Sequence, residues 1–262
     1  AANIPEFINT KPYAIKNINE KFLNDYSFVR AGNEFFKAGD QDNAIKEYQK
    51  ALELNPNNAE AHLKLGFLFY NVKQMHKEGM DHYDKAFQLN PNDPRILHDL
   101  GMVLLHQRKL DEAIKYLSQA LRRMPNGLDM QYSAVNMHYN IGRALLYKAN
   151  SKEAMVHLSK TVSLAPNHAQ AHYWLALALA DQENFNQTLK HYSKAIQLNP
   201  KVDTSATLNY LLAKHYAETR RFREAVVFEE KAFRLAQAAG DVKFTQEIKK
   251  WLDIYKQLSN SP

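Results

Sequence analysis

The sequence contains no cysteine, and this excludes disulfide bonds and thiolate metal sites. A chain without cysteine fits the cytoplasm and the periplasm equally well. Long apolar runs are also missing: the longest candidate, residues 173–180, is well short of the ~18 residues that a membrane span needs. We therefore expect no membrane span among the 262 residues.

Glycine is sparse, and its placement excludes the common phosphate-binding loops. No two of the eight glycines are spaced as G-x-G, and no G-K-[ST] occurs. The catalytic signatures H-E-x-x-H and G-x-S-x-G are absent as well. We therefore expect no active site and no cofactor, and predict that the protein is not an enzyme.

The charge is only mildly biased, with 34 Lys and Arg against 28 Asp and Glu and a net charge of +6. The basic residues are scattered, as at Lys46, Lys115 and Arg122, and do not form blocks. This distribution is typical of a solvated surface, so we expect no nucleic-acid partner.

The chain does contain an internal repeat. Small residues recur at separations of 34, 35, 41, 34 and 37 residues, and prolines recur at separations of 35, 34, 41 and 34. Two markers that drift together indicate a repeat architecture. The small residues are Gly32, Gly66, Gly101, Gly142, Ala176 and Ala213, and the prolines are Pro56, Pro91, Pro125, Pro166 and Pro200.

Residues 25–58 show what one unit contains. Apolar residues such as Phe28 and Phe35 recur at helical spacing before Gly39, and others such as Tyr48 do so from residue 44 to residue 52, before the stop at residues 55–56. This pattern predicts two helices joined by a short turn. Neither helix can bury its own apolar face, so each pair must stack on a neighbouring pair.

These units resemble the tetratricopeptide repeat family, in which a bulky residue, Leu-Gly, aromatic and small residues, and a closing Pro follow at fixed spacing. The chain has HLKLGFLF…Y…A…NP from His62 to Pro91 and LHDLGMVL…EAIKYLSQAL…P from Leu97 to Pro125. The pattern recurs six times over residues 25–239. The resemblance implies an all-α fold, a right-handed superhelical solenoid of six helix-turn-helix units. We place the units at 25–58, 59–93, 94–127, 135–168, 169–202 and 206–239.

Three segments lie outside the repeats. Residues 1–24 are expected to cover the open end of the solenoid or to occupy a groove, and the insertion Leu128–Ala134 is a candidate hinge or partner contact. Residues 240–262 begin with a Gly-Asp helix stop and cap, and then carry an apolar stripe at helical spacing. We predict a C-terminal capping helix there, with Phe244, Ile248, Trp251, Tyr255 and Leu258 buried.

Eleven histidines raise the question of a metal site. His138 and His172 lie one period apart, as do His157 and His191. However, His62, His138 and His172 all occupy the bulky fourth position of the repeat, where the family packs an aromatic ring. No carboxylates are spaced to complete a set of ligands, so we expect no bound metal.

In the family, the first helix of each pair lines a concave groove. Tyr139, Tyr173 and Tyr210 share one groove position and are expected to form a ladder, with Arg95, Arg143 and Lys214 as donors between the aromatic rings. A groove rich in aromatics and arginine is typical of a recognition surface. The candidate partner-binding residues are Asn33, Phe67, Tyr70, Arg95, His98, Met102, Asn136, Tyr139, Arg143, Gln170, Tyr173, Tyr210 and Lys214.

One specialised function of the family can be tested directly. Its co-chaperones hold a C-terminal carboxylate with Lys, Asn and Arg at fixed positions, which in this chain are Val29, Asn33, Lys64, Arg95 and Asp99. Only Asn33 and, loosely, Arg95 match, and Asp99 would repel a carboxylate. We therefore do not expect this clamp.

The resemblance implies a non-catalytic scaffold that binds a peptide or a partner helix in its groove. Two alternatives stay open. One is a self-assembling platform, in which residues 1–24 or an incompletely covered end make a homo-oligomer. The other is an accessory repeat region of a larger protein, because the C-terminal part resembles bacterial proteins with a membrane-bound or glycosyltransferase domain ahead of the repeats.

Overall fold

The computed structural model describes residues 24–124, 134–202 and 204–260. These residues form thirteen α-helices and no strand, which confirms the predicted all-α class. The N-terminal segment before residue 24 and most of the insertion Leu128–Ala134 lie outside the described residues, so the predictions made for them stay predictions. The helices are α1 (Asp25–Lys37), α2 (Gln41–Leu54), α3 (Ala59–Phe67), α4 (His76–Leu89), α5 (Pro94–His106), α6 (Leu110–Arg123), α7 (Ala134–Tyr147), α8 (Ser151–Leu164), α9 (Ala169–Ala180), α10 (Phe185–Leu198), α11 (Ala206–Glu218), α12 (Phe222–Ala238) and α13 (Val242–Ser259).

Polar side chains begin many of these helices, because they accept hydrogen bonds from backbone N–H groups that the first turn leaves unpaired. The Asn24 side chain accepts from the Ser27 N–H at 3.0 Å, and Asn58 accepts from the Ala61 N–H at 2.9 Å. The Asn-Pro pairs of the sequence come directly after α2, α4 and α10. The predicted helix stops therefore lie where the helices end.

The two helices of a pair approach closely at the small residue of the first helix. A Cβ atom built on Gly32 would lie 2.5 Å from the Tyr48 ring, and one on Gly142 would lie 2.6 Å from Leu158 Cγ. Distances this short leave no room for a side chain. The small residue is therefore a packing requirement of the pair, as the repeat pattern predicts.

A left-handed residue joins the helices in each of the six pairs. This residue lies directly before the N-cap residue of the second helix, and its φ is between 56° and 80°. Only the first pair has glycine there. The six residues are Gly39, Gln74, Arg108, Ala149, Glu183 and Arg220.

The extra residue of the second repeat changes the end of α3. Residues Leu68–Val72 continue α3 as a π-helical turn, in which the Lys73 N–H donates to the Leu68 carbonyl at 2.9 Å. A π turn accommodates one inserted residue inside a helix.

The chain divides into two compact units, and the division falls between Leu100 and Gly101 within α5. In the first unit, Val29, Tyr48, Leu65 and Leu68 belong to one buried cluster with small alanines between them. In the second unit, residues from α6 to α9 form a comparable cluster, and its largest members are Leu117, Ile141, Leu145, Leu158, Leu175 and Leu179.

The C-terminal helix α13 packs against α12 and buries Ile248, Leu252 and Tyr255. Trp251 and Leu258, which we expected in its buried stripe, are 38% and 42% exposed. The heptad spacing that we followed drifts around the helix, whereas Leu252, four residues after Ile248, stays on the contact face. Within the described residues, no helix combines the length and the apolarity that a membrane crossing requires.

Candidate binding surface

In the first unit, the candidate residues of α1 and α3 are already engaged with the protein. The Tyr48 hydroxyl donates a hydrogen bond to Asn33 Oδ1 at 2.7 Å. Phe67 meets Phe36 edge to face, with the ring centroids 5.8 Å apart, and Phe36 is 37% exposed. This aromatic pair therefore reaches solvent at the predicted surface of α1 and α3.

Other candidates of the first unit are buried or ion-paired. Tyr70 and His98 are buried, and His98 Nδ1 lies 3.0 Å from Asp99 Oδ1. Arg95 donates to Asp93 through Nε and Nη2 at 3.2 and 2.8 Å, and its Nη1 lies 3.8 Å from Glu60. In this structure Tyr70 and His98 contribute to packing, and the charge of Arg95 is compensated within the protein.

The second unit carries the densest group of candidate residues. We call Arg108, Tyr139, Arg143, Tyr147 and Trp174 the Arg143 cluster. The Arg143 guanidinium carbon lies 5.3 Å from the Tyr139 ring centroid and 5.5 Å from that of Trp174. Arg108 lies 4.6 Å from the Tyr147 ring, whose edge meets Trp174 at 5.7 Å. Both guanidinium groups therefore lie over aromatic faces, and the negative face of each ring attracts the positive charge above it.

Hydrogen bonds fix the aromatic part of this cluster. The Tyr139 hydroxyl donates to Gln170 Oε1 at 3.0 Å and is also hydrogen-bonded to the Trp174 side chain. Burial is the main reason that the pKa of Tyr139 is raised, so its hydroxyl stays protonated and able to donate. The His168 ring covers Tyr139 at 4.8 Å. Three candidates, Tyr139, Arg143 and Gln170, thus meet in one network.

A cavity of about 390 Å³ opens beside the cluster. The Nε–H of Arg143 is shielded from solvent and has no acceptor among the described residues, and its Nη1 makes only a long contact of 3.5 Å with Asn140 Oδ1. No carboxylate belongs to the lining as far as the described part of the chain goes, so basic and apolar side chains border the cavity there. Its lining residues are Met102, Leu105, His106, Arg108, Arg143 and Tyr147.

The remaining candidates of the second unit make other contacts. Tyr173 packs against the buried cluster of α9 to α11, and its ring meets Trp174 at 5.5 Å. Tyr210 donates to Glu247 at 3.1 Å and meets Phe244 at 5.4 Å, so α13 contacts it. Lys214 is exposed, and Asn136 is half-buried. The tyrosine ladder along the groove therefore stays a prediction.

Six of the eleven histidines form three equivalent pairs, one in the first unit and two in the second. The Nδ1 atoms of each pair are 2.8–3.0 Å apart. In two pairs the first histidine also lies 3.0 Å from a proline carbonyl through Nε2. That nitrogen must carry a proton to donate, so the Nδ1 of the same ring accepts from its partner. The pairs are His62 with His82, His138 with His157 and His172 with His191.

Sequence reasoning missed Arg108, Tyr147 and Trp174. It took four positions of each first helix from the family, whereas Arg108 lies in the turn after α5 and Tyr147 at the end of α7. Trp174 follows the candidate Tyr173 directly and is one of only two tryptophans, so its size was an available signal. A second cavity, of about 740 Å³ beside His172, Lys190 and His191, was also missed.

Consecutive helix pairs of similar length define a helical-repeat protein. Four models described as TPR or tetratricopeptide repeat match residues 32–72, 73–135, 135–168 and 169–202. Together these matches cover more than half of the sequence. The chain belongs to the tetratricopeptide repeat family.

Among curated proteins, the chain is similar to BBSome complex member BBS4 from Bos taurus, with 23% identity over 258 residues. The match covers 86% of this chain and 48% of the relative, so the chain spans about half the length of the curated protein that it matches.

Solved structures show the same fold at low identity. YrrB, described as a TPR protein with an unusual peptide-binding site, is 22% identical, with a TM-score of 0.62 over 78% of this chain and 97% of YrrB. PilF of Pseudomonas aeruginosa is 19% identical, with a TM-score of 0.62 over 86% and 96% of the two chains. MamA is 24% identical, with a TM-score of 0.53 over 65% and 95%.

Proposed function

We propose that this protein is a non-catalytic scaffold that binds a peptide segment or a partner helix along the first helices of its pairs. The observation that carries this proposal is the Arg143 cluster, in which two guanidinium groups rest on aromatic rings beside a cavity of about 390 Å³. Trp, Tyr and Arg are the residues most enriched among those that dominate binding energy at protein interfaces.

The comparisons support a role in protein interaction at a coarser level. Tetratricopeptide repeats are generally non-catalytic scaffolds. YrrB is described as having a peptide-binding site, and the bovine relative is named as a member of a complex. Neither description identifies a ligand for this chain.

Within the second unit, the proposed contact residues differ in what they offer. Met102 and Tyr173 supply apolar surface, and Arg143, Gln170 and Lys214 supply polar groups. In the first unit, Phe67 offers the edge of an exposed aromatic pair. The other proposed contributors, which act partly by shaping the helices, are Asn33, Tyr70, Arg95, His98, Asn136, Tyr139 and Tyr210.

Site-specific photo-crosslinking in the native host tests this function. The crosslinking residue p-benzoylphenylalanine replaces Tyr147, which is 44% exposed in the Arg143 cluster, or Val156, which is 68% exposed on the second helix α8. We expect a discrete protein adduct from position 147 and none from position 156. Adducts at position 156 alone would contradict binding along the first helices.

The self-assembly alternative has one observation in its favour. Trp251 and Leu258, two helical turns apart on α13, are 38% and 42% exposed. Light scattering across a hundredfold range of concentration tests this alternative. A mass that rises with concentration in the wild type, and stays monomeric in a Trp251→Gln/Leu258→Gln variant, would favour assembly through α13. Loss of assembly on deletion of residues 1–24 would instead assign it to the N-terminal segment.

A further inference from the structure

We propose that the cavity beside the Arg143 cluster binds the carboxylate side chain of an acidic peptide. This inference rests on the proposed function, because it names the chemistry of the segment that the scaffold would hold. The partner is a peptide in which a Glu or Asp lies next to an apolar residue.

Uncompensated positive charge is the first argument. Within the described residues, neither Arg108 nor Arg143 forms an ion pair, and His106 adds a third basic side chain to the cavity wall. Two acidic groups near this part of the chain have other partners: Asp111 with Lys148, and Asp181 with Ser151. A carboxylate that enters the cavity would therefore meet two arginines and no competing acid in the lining.

The environment of Arg143 is the second argument. Its guanidinium is half-buried between two aromatic rings, where an ion pair is less screened than at an open surface. A buried donor without an acceptor has lost its hydration without gaining a hydrogen bond in return. Nη1 makes only a long contact with Asn140 Oδ1 and Nε has no acceptor, so the guanidinium group retains donors that a carboxylate would satisfy once it displaces the side chains that shield Nε.

Geometry and lining favour a side-chain carboxylate over a free anion. Met102 and Leu105 form the apolar part of the wall, and the Tyr147 ring carries Arg108 at its rim. These groups can cover the methylene carbons of a Glu and an adjacent apolar side chain. This site also differs from the carboxylate clamp considered above, whose positions fall between Val29 and Asp99, in the first unit.

Arg108 reaches the cavity because of the turn that carries it. It occupies the left-handed position after α5, with φ of 61°. The equivalent turn of the second repeat holds Gln74 at φ 56°, so Arg108→Gln places in this turn a side chain that the same chain already accommodates. Met102 is the residue of the third repeat that corresponds to Arg143. Arg143→Met is therefore the matched apolar variant.

The test uses two tripeptide probes, acetyl-Leu-Glu-Leu-amide and acetyl-Leu-Gln-Leu-amide, titrated into the whole ¹⁵N-labelled chain. We expect the Glu peptide to shift the Arg143 Nε–Hε and Trp174 indole signals saturably. We also expect it to bind at least tenfold more tightly than the Gln peptide, with an affinity that falls as salt is raised. Equal affinities for the two peptides, or no saturable shift from either, would overturn the inference.

The variants locate the effect. Arg143→Met and Arg108→Gln should each reduce the preference for Glu at least tenfold, whereas the exposed Arg122→Gln should leave it unchanged. Arg143→Lys keeps the positive charge but loses the planar set of N–H donors that matches a carboxylate, so this variant should retain only part of the preference for Glu. An equal loss of preference in Arg122→Gln would show that net charge causes the preference, and this would contradict a defined site. Displacement of the Glu peptide by inorganic phosphate at a concentration below that of the peptide would contradict it too.

Two features keep this test informative. Should Arg143→Met fail to fold by circular dichroism, the Glu and Gln comparison on the wild type and on Arg108→Gln still decides the question. Failure of the carboxylate inference is also separable from failure of the proposed function. A crosslink at position 147 without a preference for Glu would leave the scaffold and remove only the acidic ligand.

Discussion

Glu229 occupies the position that holds Tyr48, Tyr83, Leu117, Leu158 or Tyr192 in the other second helices. The side chain is fully buried, and neither carboxyl oxygen has a hydrogen-bond partner among the described residues. Burial, together with the charge of Glu247, raises the pKa of Glu229 to about 8. The carboxyl group is therefore mostly protonated at pH 7, which is the state that an apolar site favours.

We predict that Glu229→Leu stabilises the protein, and increasingly so at alkaline pH. Because the folded pKa of about 8 lies above the ordinary value of 4.5, the folded state binds more protons, and the wild type loses stability as pH rises between these values. The gain should reach about 2–4 kcal/mol near pH 9 and be small near pH 5. Urea unfolding at both pH values measures it.

Glu229→Gln is the control for shape in this comparison. It keeps the size of the side chain but cannot ionise, so its stability relative to the wild type should rise with pH in the same way. A gain that is the same at pH 5 and pH 9 would show that packing, and not ionisation, limits this position.

The histidine pairs have the opposite pH dependence. Burial is the main cause that lowers the pKa of His138 to about 4, and the pKa of His157 is lowered for the same reason. The unfolded chain therefore takes up protons near pH 6.5 that the folded chain does not. We predict that stability is lost as pH falls from about 6.5 to about 4.

A matched variant assigns this loss to one pair. The third repeat has Leu97 and Tyr116 where the fourth has His138 and His157, so His138→Leu/His157→Tyr transfers an existing pair of side chains. The variant should lose less stability than the wild type between pH 7 and pH 5, measured by urea midpoint. An unchanged pH dependence would show that this pair does not contribute.

At the scale of the element, every helix-turn-helix unit has a left-handed residue in its turn, although the residue types at this position do not predict it. All six turns place one residue at positive φ, yet only Gly39 is glycine. For an L-residue this conformation costs roughly 1–2 kcal/mol. The turns persist because they connect helices whose positions are set by packing, as between Gly142 and Leu158.

We predict opposite effects of two substitutions in these turns. Ala149→Gly should stabilise the protein by roughly 0.5–1 kcal/mol, because Ala149 is exposed at φ 57° and loses no packing. Gly39→Ala should destabilise it by a similar amount, because a Cβ there meets nothing within 4 Å and only the backbone conformation is penalised. Thermal unfolding measures both. Destabilisation by Ala149→Gly would mean that the loss of flexibility on folding outweighs the backbone strain.

At the scale of the whole molecule, the repeat pattern predicted the helix pairs because the small residue and the helix stop are local requirements. The approach of Gly32 to Tyr48 follows from the period alone. The candidate site was only partly predictable. Arg143 and Tyr139 lie at positions known from the family. Arg108, however, reaches the cavity through a turn conformation that no residue type signals. Trp174 joins the Arg143 cluster through contacts between neighbouring helix pairs. Burial of Tyr70 and His98 likewise depends on tertiary packing that spacing does not reveal.

Among the described residues, the buried side-chain oxygen atoms without partners all lie in the pair α11 and α12, whereas the pair α7 and α8 has one unpaired nitrogen, Arg143 Nε. This difference should decide where the second unit opens first. Two buried side chains of the pair α11 and α12, Asn209 and Glu229, have oxygen atoms without partners among the described residues. The corresponding positions of the pair α7 and α8 hold His138, which is hydrogen-bonded to His157, and Leu158, which packs in a buried cluster. In a repeat protein each pair depends mainly on itself and its neighbours, so a weak pair opens locally.

We therefore predict that α11 and α12 exchange amide hydrogens with smaller protection factors than α7 and α8. The difference should grow between pH 6 and about pH 8, after correction for intrinsic exchange, because Glu229 is ionised in the opened state over this range and its pKa in the folded state is about 8. Glu229→Leu should raise the protection of α11 and α12 severalfold and leave α7 and α8 unchanged. Hydrogen–deuterium exchange with mass spectrometry resolves the two regions. If Glu229→Leu raised protection equally in both, the second unit would open as a single cooperative block, and the poorly paired groups at its C-terminal end would limit the stability of all of it.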